Sequence, residues 1–134
     1  MSTPQDSNII VPNPVPSTVV PSDKDKVLIF DTTMRDGEQA PGASMSFEEK
    51  MELAKILEDM KVDVIEAGFP ITSNGDFQAV HEISKVIRGS IIAGLARTTV
   101  MDIERCAEAV KPAERGRVHL FLSTARSTAT TSCA

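Results

Sequence analysis

An arginine and an aspartate stand side by side shortly after an apolar run near the start of the chain. The run 27–30 leads into Asp31, and Arg35 and Asp36 follow it. A carboxylate can bind a hard divalent cation through oxygen, and a fixed guanidinium can stabilise negative charge on an enolate or carboxylate. Adjacent Arg and Asp are also common on protein surfaces, where they do no chemistry. The pair therefore indicates an oxyanion site only if it lies where reactive groups gather.

Other polar side chains recur at the ends of the apolar segments. They are Asp31, Glu38 and Gln39 after the first, Glu66 at the end of the second, Arg97 after the third, and Ser123 and Thr124 after the fourth. His119 lies inside the fourth segment, and alternation along a strand points it away from Val118 and Leu120. Reactive groups gather at the carboxyl ends of parallel strands. The spacing therefore predicts one rim of functional groups, with His119 directed into a barrel interior or buried as a core histidine.

Strand and helix patterns alternate along the part of the chain that carries these residues. Continuous apolar runs predict buried strands, and apolar residues at helical spacing predict helices. The strands are predicted at 27–30, 62–66, 90–95 and 118–122, and the helices from Ser46 for about four turns, at 76–88 and at 102–110. Ser46 and Glu49 fit a capping box at the first helix. The pattern predicts an α/β fold of right-handed βαβ units, either half of a (β/α)₈ barrel or a small open sheet.

Each predicted helix has one apolar face that should pack against the sheet. The inward residues are Leu53, Ile56, Leu57 and Met60, then Phe77, Val80, Ile83 and Ile87, then Ile103, Cys106, Ala107 and Val110. Lys50 lies on the first helix, and we expect its ammonium group to reach solvent. His81 lies at the edge of the second apolar face, where a structural role is expected.

Composition excludes several classes of partner. The chain of 134 residues is 41% apolar and 25% charged, with a formal net charge of -5. It has five Phe and no Trp or Tyr, so a surface for stacking on bases is not expected. The acidic balance argues against nucleic acid and anionic membranes, and no apolar run is long enough to span a bilayer. We expect neither nucleic acid nor membrane as a partner.

The two ends of the chain differ from the middle. Residues 1–25 are rich in Pro and Ser and predict a disordered leader, whereas residues 125–134 are rich in Thr, Ser and Ala without periodicity and predict an aberrant, unstructured tail. Cys106 and Cys133 have neither zinc-ligand spacing nor the density of a disulfide scaffold. Free thiols in the cytoplasm are therefore expected.

The segment Met34-Arg35-Asp36-Gly37-Glu38-Gln39, followed by Lys50 after ten intervening residues, resembles the signature of the α-isopropylmalate and homocitrate synthases. That signature reads Leu-Arg-Asp-Gly-x-Gln, ten residues and Lys, so Met34 in place of Leu is the one departure. Further stretches resemble the isopropylmalate branch. They are Asp31-Thr32-Thr33, Pro41-Gly42-Ala43-Ser44-Met45, Glu66-Ala67-Gly68-Phe69-Pro70, Gly75-Asp76-Phe77 and Gly94-Leu95-Ala96-Arg97. The resemblance runs from about Val27 to Thr124, so residues 26–124 are predicted to be the first half of a (β/α)₈ catalytic domain.

The resemblance implies a metal-dependent condensation of acetyl-CoA with a 2-oxo acid, here 3-methyl-2-oxobutanoate, in leucine biosynthesis. Arg35 matches the arginine that contacts the 2-oxo group and stabilises enolate charge. Asp36 matches a ligand of the divalent metal, which is Mg²⁺ or Mn²⁺, with Zn²⁺ as the alternative. His119 matches a histidine that lines the substrate pocket, and Glu66 lies near that pocket.

The resemblance also implies a homodimer of the whole enzyme. Glu38 and Gln39 are expected to order the loop that carries Arg35 by hydrogen bonding to backbone amides.

The family's metal site also needs a His-x-His pair and an Asn, and its catalytic base and acetyl-CoA site lie further along the barrel. None of these is found in the sequence, so we expect an incompletely liganded metal and a chain that is inactive alone. Two other interpretations stay open. One is a non-catalytic fragment, and the other is a homocitrate synthase or lyase relative with the same Arg-Asp loop.

Overall fold

Four parallel strands form one sheet and follow each other in the order of the chain. The computed structural model describes residues 26–122. Within them the strands are β1 (Phe30–Asp31), β2 (Val64–Gly68), β3 (Ile91–Arg97) and β4 (Gly116–Phe121). Neighbouring strands pair in parallel, with Phe30 opposite Val64, Ile65 opposite Ile92, and Leu95 opposite His119.

One α-helix connects each strand to the next. The helices are α1 (Phe47–Asp59), α2 (Asn74–Val86) and α3 (Val100–Val110), and a short 3₁₀ helix (Gly37–Gln39) lies in the loop before α1. The predicted α/β fold with about four parallel strands and three helices is confirmed for residues 26–122. None of the helices in this range has the length and apolarity that a bilayer span requires. The predicted leader and tail, and with them Ser123, Thr124 and Cys133, lie outside the described residues.

Hydroxyl side chains fix the starts of all three helices. The predicted capping box of α1 is present, because Ser46 accepts the Glu49 amide while the Glu49 carboxylate accepts the Ser46 amide. Ser73 and Thr99 cap α2 and α3 by accepting the amides of Asp76 and Asp102. These two helices therefore begin two residues earlier than predicted, since the acidic residues stand in the first turn and do not start it.

The buried face of α1 differs from the predicted one. Ile56 and Met60 are exposed by 48% and 69%, whereas Lys50, Ala54 and Leu57 are buried. Lys50, Ala54 and Leu57 lie at i, i+4 and i+7, so they form one packed stripe on a side of α1 that does not include Ile56. On α3, Ala107 is likewise exposed, and Asp102 and Ala109 are buried instead. Predicting these faces from apolar spacing alone was wrong at these positions.

The first strand is shorter and more exposed than predicted. Only Phe30–Asp31 pairs with β2, and residues 27–30 are exposed where burial on both faces was predicted. The physical reason is the position of β1 at one edge of the sheet, where within the described residues it has a single neighbour. At the other edge, β4 leaves Leu120 and Phe121 about half exposed.

The main core lies between the sheet and the helices. Its buried members include Met34, Ile65, Ile83, Ile92 and Ala109. The other face of the sheet is concave, since the rings of Phe30 on β1 and His119 on β4 meet at 5.4 Å between centroids. In a flat sheet, strands three places apart lie about 14 Å from each other. The four strands therefore curve as a segment of a barrel wall does.

Candidate active site

Glu66 stands at the centre of a hydrogen-bonded cluster on the concave face. Its side chain is fully buried in β2. Arg35 Nε donates to Glu66 Oε2 at 2.8 Å, and His119 Nδ1 lies 2.5 Å from Glu66 Oε1. An ionised carboxylate can only accept, so Nδ1 carries the proton in this arrangement. One carboxylate thus joins the loop after β1 to strands β2 and β4.

An irregularity in β2 lies next to Glu66. Glu66 pairs with Ala93, yet Gly68 pairs with Gly94, so Ala67 is the extra residue of a β-bulge. Bulges re-aim side chains and occur next to active sites. Glu66 had been expected at the end of its strand, but β2 continues to Gly68, and the carboxylate lies inside the sheet and not at its rim.

Short-range hydrogen bonds shape the loop that carries Arg35. The Thr32 carbonyl accepts the amides of Arg35 and Asp36 at 3.1 and 2.8 Å, and the Asp31 carboxylate accepts the Thr33 amide at 3.0 Å. Arg35 is mostly buried and forms an ion pair with Asp36 through Nη1. Asp36 is about half exposed. The loop therefore presents its guanidinium to the sheet and leaves the aspartate at the surface.

A cavity of about 370 Å³ adjoins Arg35 at the carboxyl ends of β1 and β2. Its lining residues are Met34, Arg35, Glu38, Gln39, Gly68, Phe69, Thr72 and Asp76. Small-molecule sites in proteins are concave and combine apolar walls with a few polar groups. The cavity therefore has the position and lining of a substrate pocket.

Lys50 does not reach solvent as expected, and that prediction was wrong. Its side chain is buried, and its ammonium group lies 2.8 Å from Glu38 Oε2 and 3.2 Å from Asp76 Oδ1. Burial lowers the pKa of Lys50, but the hydrogen bonds to Glu38 and Asp76 outweigh it, so the pKa is raised. Sequence spacing gave no sign of these partners, although Lys50 closes the signature.

Glu38 and Gln39 differ in their contacts. Glu38 Oε1 accepts the Met45 amide at 3.0 Å, which ties the two ends of the loop together. Gln39 is exposed, and its side chain forms no hydrogen bond to any residue in the range 26–122. Glu38 therefore has the contacts expected of a residue that orders the loop.

Arg97 lies at the same rim, at the end of β3, and its guanidinium binds Asp102 in the first turn of α3. Its Nε and Nη2 donate to the two Asp102 oxygens at 2.6 and 3.1 Å, and its guanidinium lies 5.9 Å from the Phe69 ring centroid. The hydrogen bonds from Arg97 lower the pKa of Asp102 to about 2. The charge of Arg97 is thus largely matched within the protein.

Two further groups, His81 and Cys106, are not part of the hydrogen-bonded cluster. His81 stacks on Phe77 of the same helix, with 5.8 Å between ring centroids. Cys106 is a buried free thiol, and burial, followed by the charge of Glu66, raises its pKa to about 11. A thiol with so high a pKa is not a nucleophile at neutral pH.

The residues of this range do not form a complete metal site. Within residues 26–122, no group of three or more His, Cys, Asp or Glu side chains is placed to hold a metal ion. Asp36, the predicted ligand, faces Arg35 and brings a single carboxylate, whereas hard divalent cations seek six or more oxygen ligands.

A curved parallel sheet whose helices all pack on one face has the form of a β/α-barrel wall, with an arginine, a buried glutamate and a histidine on its concave face. The match to the family described as HMGL-like covers residues 26–133, and the chain belongs to this family. It is a family of (β/α)₈ barrels, which confirms the predicted fold class. The match extends beyond Thr124, where the resemblance was expected to end.

The names of curated relatives confirm the predicted resemblance to the isopropylmalate synthases. The chain is 63% identical over 108 residues to the 2-isopropylmalate synthase of Rhodopseudomonas palustris (strain TIE-1). It is 68% identical over 103 residues to that of Caulobacter vibrioides (strain NA1000 / CB15N). These alignments cover 81% and 77% of this chain but 21% and 20% of the relatives. The chain therefore spans about a fifth of the length of the curated relatives it matches.

Proposed function

We propose that these residues form the first part of the catalytic barrel of a 2-isopropylmalate synthase. The reaction is the condensation of acetyl-CoA with 3-methyl-2-oxobutanoate to 2-isopropylmalate, an acyl transfer in leucine biosynthesis. The observation that carries the proposal is the contact of Arg35 and His119 with one buried carboxylate, Glu66. It occurs in a chain 62–68% identical to proteins named 2-isopropylmalate synthase.

Arg35 binds the 2-oxo acid in this proposal. Nε is held by Glu66 and Nη1 by Asp36, whereas Nη2 donates to no atom of residues 26–122. A guanidinium fixed on one side and free on the other can bind a carboxylate or a 2-oxo oxygen. It also stabilises the negative charge that develops on that oxygen, and being preorganised it needs no rearrangement to do so.

Glu66 and His119 assist from the concave face. Glu66 orients Arg35 and holds a proton of His119 on Nδ1. The rings of Phe30 and His119 meet edge to face at an angle of 77°, and this contact fixes the orientation of both rings. In this proposal His119 lines the substrate site on the concave face, beside Glu66.

Asp36 provides one carboxylate toward a divalent metal, Mg²⁺ or Mn²⁺ with Zn²⁺ as the alternative. The remaining ligands of the metal, and the acetyl-CoA site, belong to parts of the whole enzyme other than residues 26–122. The whole enzyme is a homodimer of the cytoplasm, a compartment that suits the free, buried thiol of Cys106. A polypeptide of these 134 residues alone is inactive.

A homocitrate synthase or lyase with the same loop is the competing function. The names of the relatives favour the isopropylmalate reaction, since proteins at 62% identity and above carry that name. A non-catalytic role is the other alternative, and the assay below distinguishes all three.

The test is a full-length chimera. Residues 26–122 of this chain replace the matching segment of the Rhodopseudomonas palustris (strain TIE-1) relative, and release of free CoA thiol is measured with Mg²⁺ or Mn²⁺. We expect release with 3-methyl-2-oxobutanoate well above that with 2-oxoglutarate, and none from the 134-residue chain alone. A folded chimera without activity would refute the synthase function. A preference for 2-oxoglutarate would favour homocitrate synthesis, and turnover by the 134-residue chain would contradict its inactivity.

A further inference from the structure

A buried ammonium group joins three segments next to the candidate site. Lys50 belongs to the first turn of α1, Glu38 to the 3₁₀ helix of the Arg35 loop, and Asp76 to the first turn of α2. Lys50 Nζ lies 2.8 Å from the Glu38 carboxylate and 3.2 Å from that of Asp76. Lysine is almost never fully buried unless it is paired, and here both partners are carboxylates.

Each carboxylate is itself held on its far side. Glu38 Oε1 accepts the Met45 amide at 3.0 Å, and Asp76 Oδ2 accepts the Ser73 hydroxyl at 3.0 Å. Ser73 in turn caps α2. The ammonium group is therefore the shared link between a loop carboxylate and a helix-cap carboxylate, both of fixed orientation.

We propose that Lys50 is a positioning residue that holds the Arg35 loop against α1 and α2 through its ion pairs with Glu38 and Asp76. Glu38 follows Arg35 by three residues and lies within the same run of turns, so fixing Glu38 fixes the path of the backbone that carries the guanidinium. This inference rests on the proposed function only for its effect on catalysis. The effect on the loop stands on the contacts alone.

Cavities lie on both sides of the ion pairs that Lys50 makes with Glu38 and Asp76. Glu38 and Asp76 both line the 370 Å³ cavity beside Arg35, and together with Lys50 they also line a second cavity of about 300 Å³ between α1 and α2. The three side chains form the wall between these spaces. Without Lys50, two carboxylates that share one cation would face each other across empty volume, and their repulsion would move the loop.

Hydrogen–deuterium exchange of the full 134-residue chain tests the proposal. The probes are the amides of Asp36, Gln39 and Ala40, which donate to carbonyls within the loop. We expect Lys50→Met to speed their exchange about tenfold or more while the β2 and β3 amides change little. Lys50→Arg should restore part of the protection, and Lys85→Met, at an exposed lysine paired with Glu82, should leave it unchanged.

Two results would overturn the proposal. One is loop exchange within twofold of the unsubstituted chain, and the other is equal acceleration of loop and strand amides, which indicates global destabilisation. If Lys50→Met does not fold, Glu38→Gln removes only the ion pair on the loop side. Its effect is measured by the exchange of the same three amides.

The chimera gives the catalytic readout. We expect Lys50→Met to raise KM for 3-methyl-2-oxobutanoate at least fivefold and to leave KM for acetyl-CoA within twofold, with partial rescue by Lys50→Arg. Equal changes in both KM values would contradict a role through Arg35. An inactive unsubstituted chimera would refute the proposed function, and the exchange experiment would still decide the role of Lys50.

Discussion

Glu66 is fully buried, and a carboxylate in that position must be compensated. Taking an ion out of water costs several kcal/mol, and an ion pair recovers this only with good geometry and further hydrogen bonds. Arg35 and His119 provide those contacts at 2.8 and 2.5 Å. Replacing a whole buried ion pair by well-packed apolar residues is often neutral or stabilising, so the cluster is not explained by stability alone.

Asp102 allows a pH test at the level of one residue. Hydrogen bonds from Arg97 lower its pKa from 3.8 to about 2, so the charged form is favoured in the folded state. The carboxylate therefore contributes stability that is complete above about pH 4 and is lost as the pH falls toward 2. We expect the difference in free energy of unfolding between the unsubstituted chain and Asp102→Asn to stay constant from pH 7 to 5 and to shrink below pH 4.

A double-mutant cycle provides the control for that experiment. The coupling between Arg97→Gln and Asp102→Asn, measured by urea unfolding, should be full at pH 7 and much smaller near pH 2, where the carboxylate is about half protonated. Coupling as large at pH 2 as at pH 7 would contradict the assignment of the low pKa to this pair.

Single residues show where sequence reasoning succeeded. Arg35 was expected near the strand ends and His119 on the face opposite Val118, and both lie beside Glu66. Lys50 was expected in solvent, because its partners cannot be read from local spacing. Asp76 lies 26 residues further along the chain and meets Lys50 only after α1 and α2 have packed.

At the scale of elements, the start of α1 depends on Ser46. Its hydroxyl accepts the Glu49 amide at 3.2 Å, and the Glu49 carboxylate accepts the Ser46 amide at 2.7 Å. We expect Ser46→Ala to lower the free energy of unfolding by about 1 kcal/mol, measured by urea titration. Ser44→Ala, at an exposed position outside the cap, should change it little. Equal effects of the two substitutions would contradict the capping role.

Strand β3 and helix α3 approach each other closely at Gly94. A Cβ added there would lie 2.6 Å from Cys106 Sγ, so Gly94→Ala forces α3 away from the sheet. We expect it to destabilise the chain by about 1–3 kcal/mol, measured by thermal unfolding.

The double variant Gly94→Ala/Cys106→Ala should cost less than the sum of the two single changes, because it removes the contact. Gly75→Ala is the matched control, since its nearest neighbour would be 3.7 Å away. Strict additivity at Gly94 and Cys106 would contradict the close packing.

The type and order of the helices and strands could be predicted from the sequence, but the buried side of each helix was harder to predict. Caps and apolar runs are local signals, and they located the three α-helices and the four strands of residues 26–122 within a few residues, but not the 3₁₀ helix. Which side of α1 is buried depends on the neighbours that it meets. Lys50, Ala54 and Leu57 pack inward there, and Ile56 does not, because tertiary packing overrides apolar periodicity.

At the scale of the molecule, both edges of the sheet formed by residues 26–122 present apolar side chains. Leu28 and Ile29 next to β1, and Leu120 and Phe121 on β4, are exposed by between 46% and 60%. Open strand edges with apolar residues pair with other chains. We expect the 134-residue chain to associate with concentration in sedimentation experiments.

Lysine substitutions test the cause of that association. Ile29→Lys combined with Leu120→Lys should reduce it, since charge on an edge strand opposes pairing. Met60→Lys, at an exposed position on α1 away from both edges, should not. A monodisperse monomer with cooperative melting at every concentration would rule out the edge hypothesis.

The central claim is that the Arg35 guanidinium, held by Glu66, binds and stabilises the 2-oxo acid. Its most direct test is kcat/KM of the chimera for 3-methyl-2-oxobutanoate with Arg35→Gln and, as control, Arg115→Gln, an arginine that donates to the Gly89 carbonyl at the opposite end of the sheet. We predict a loss of about 100-fold or more for Arg35→Gln and a change of less than threefold for Arg115→Gln. An Arg35→Gln chimera within threefold of the unsubstituted one would contradict the account.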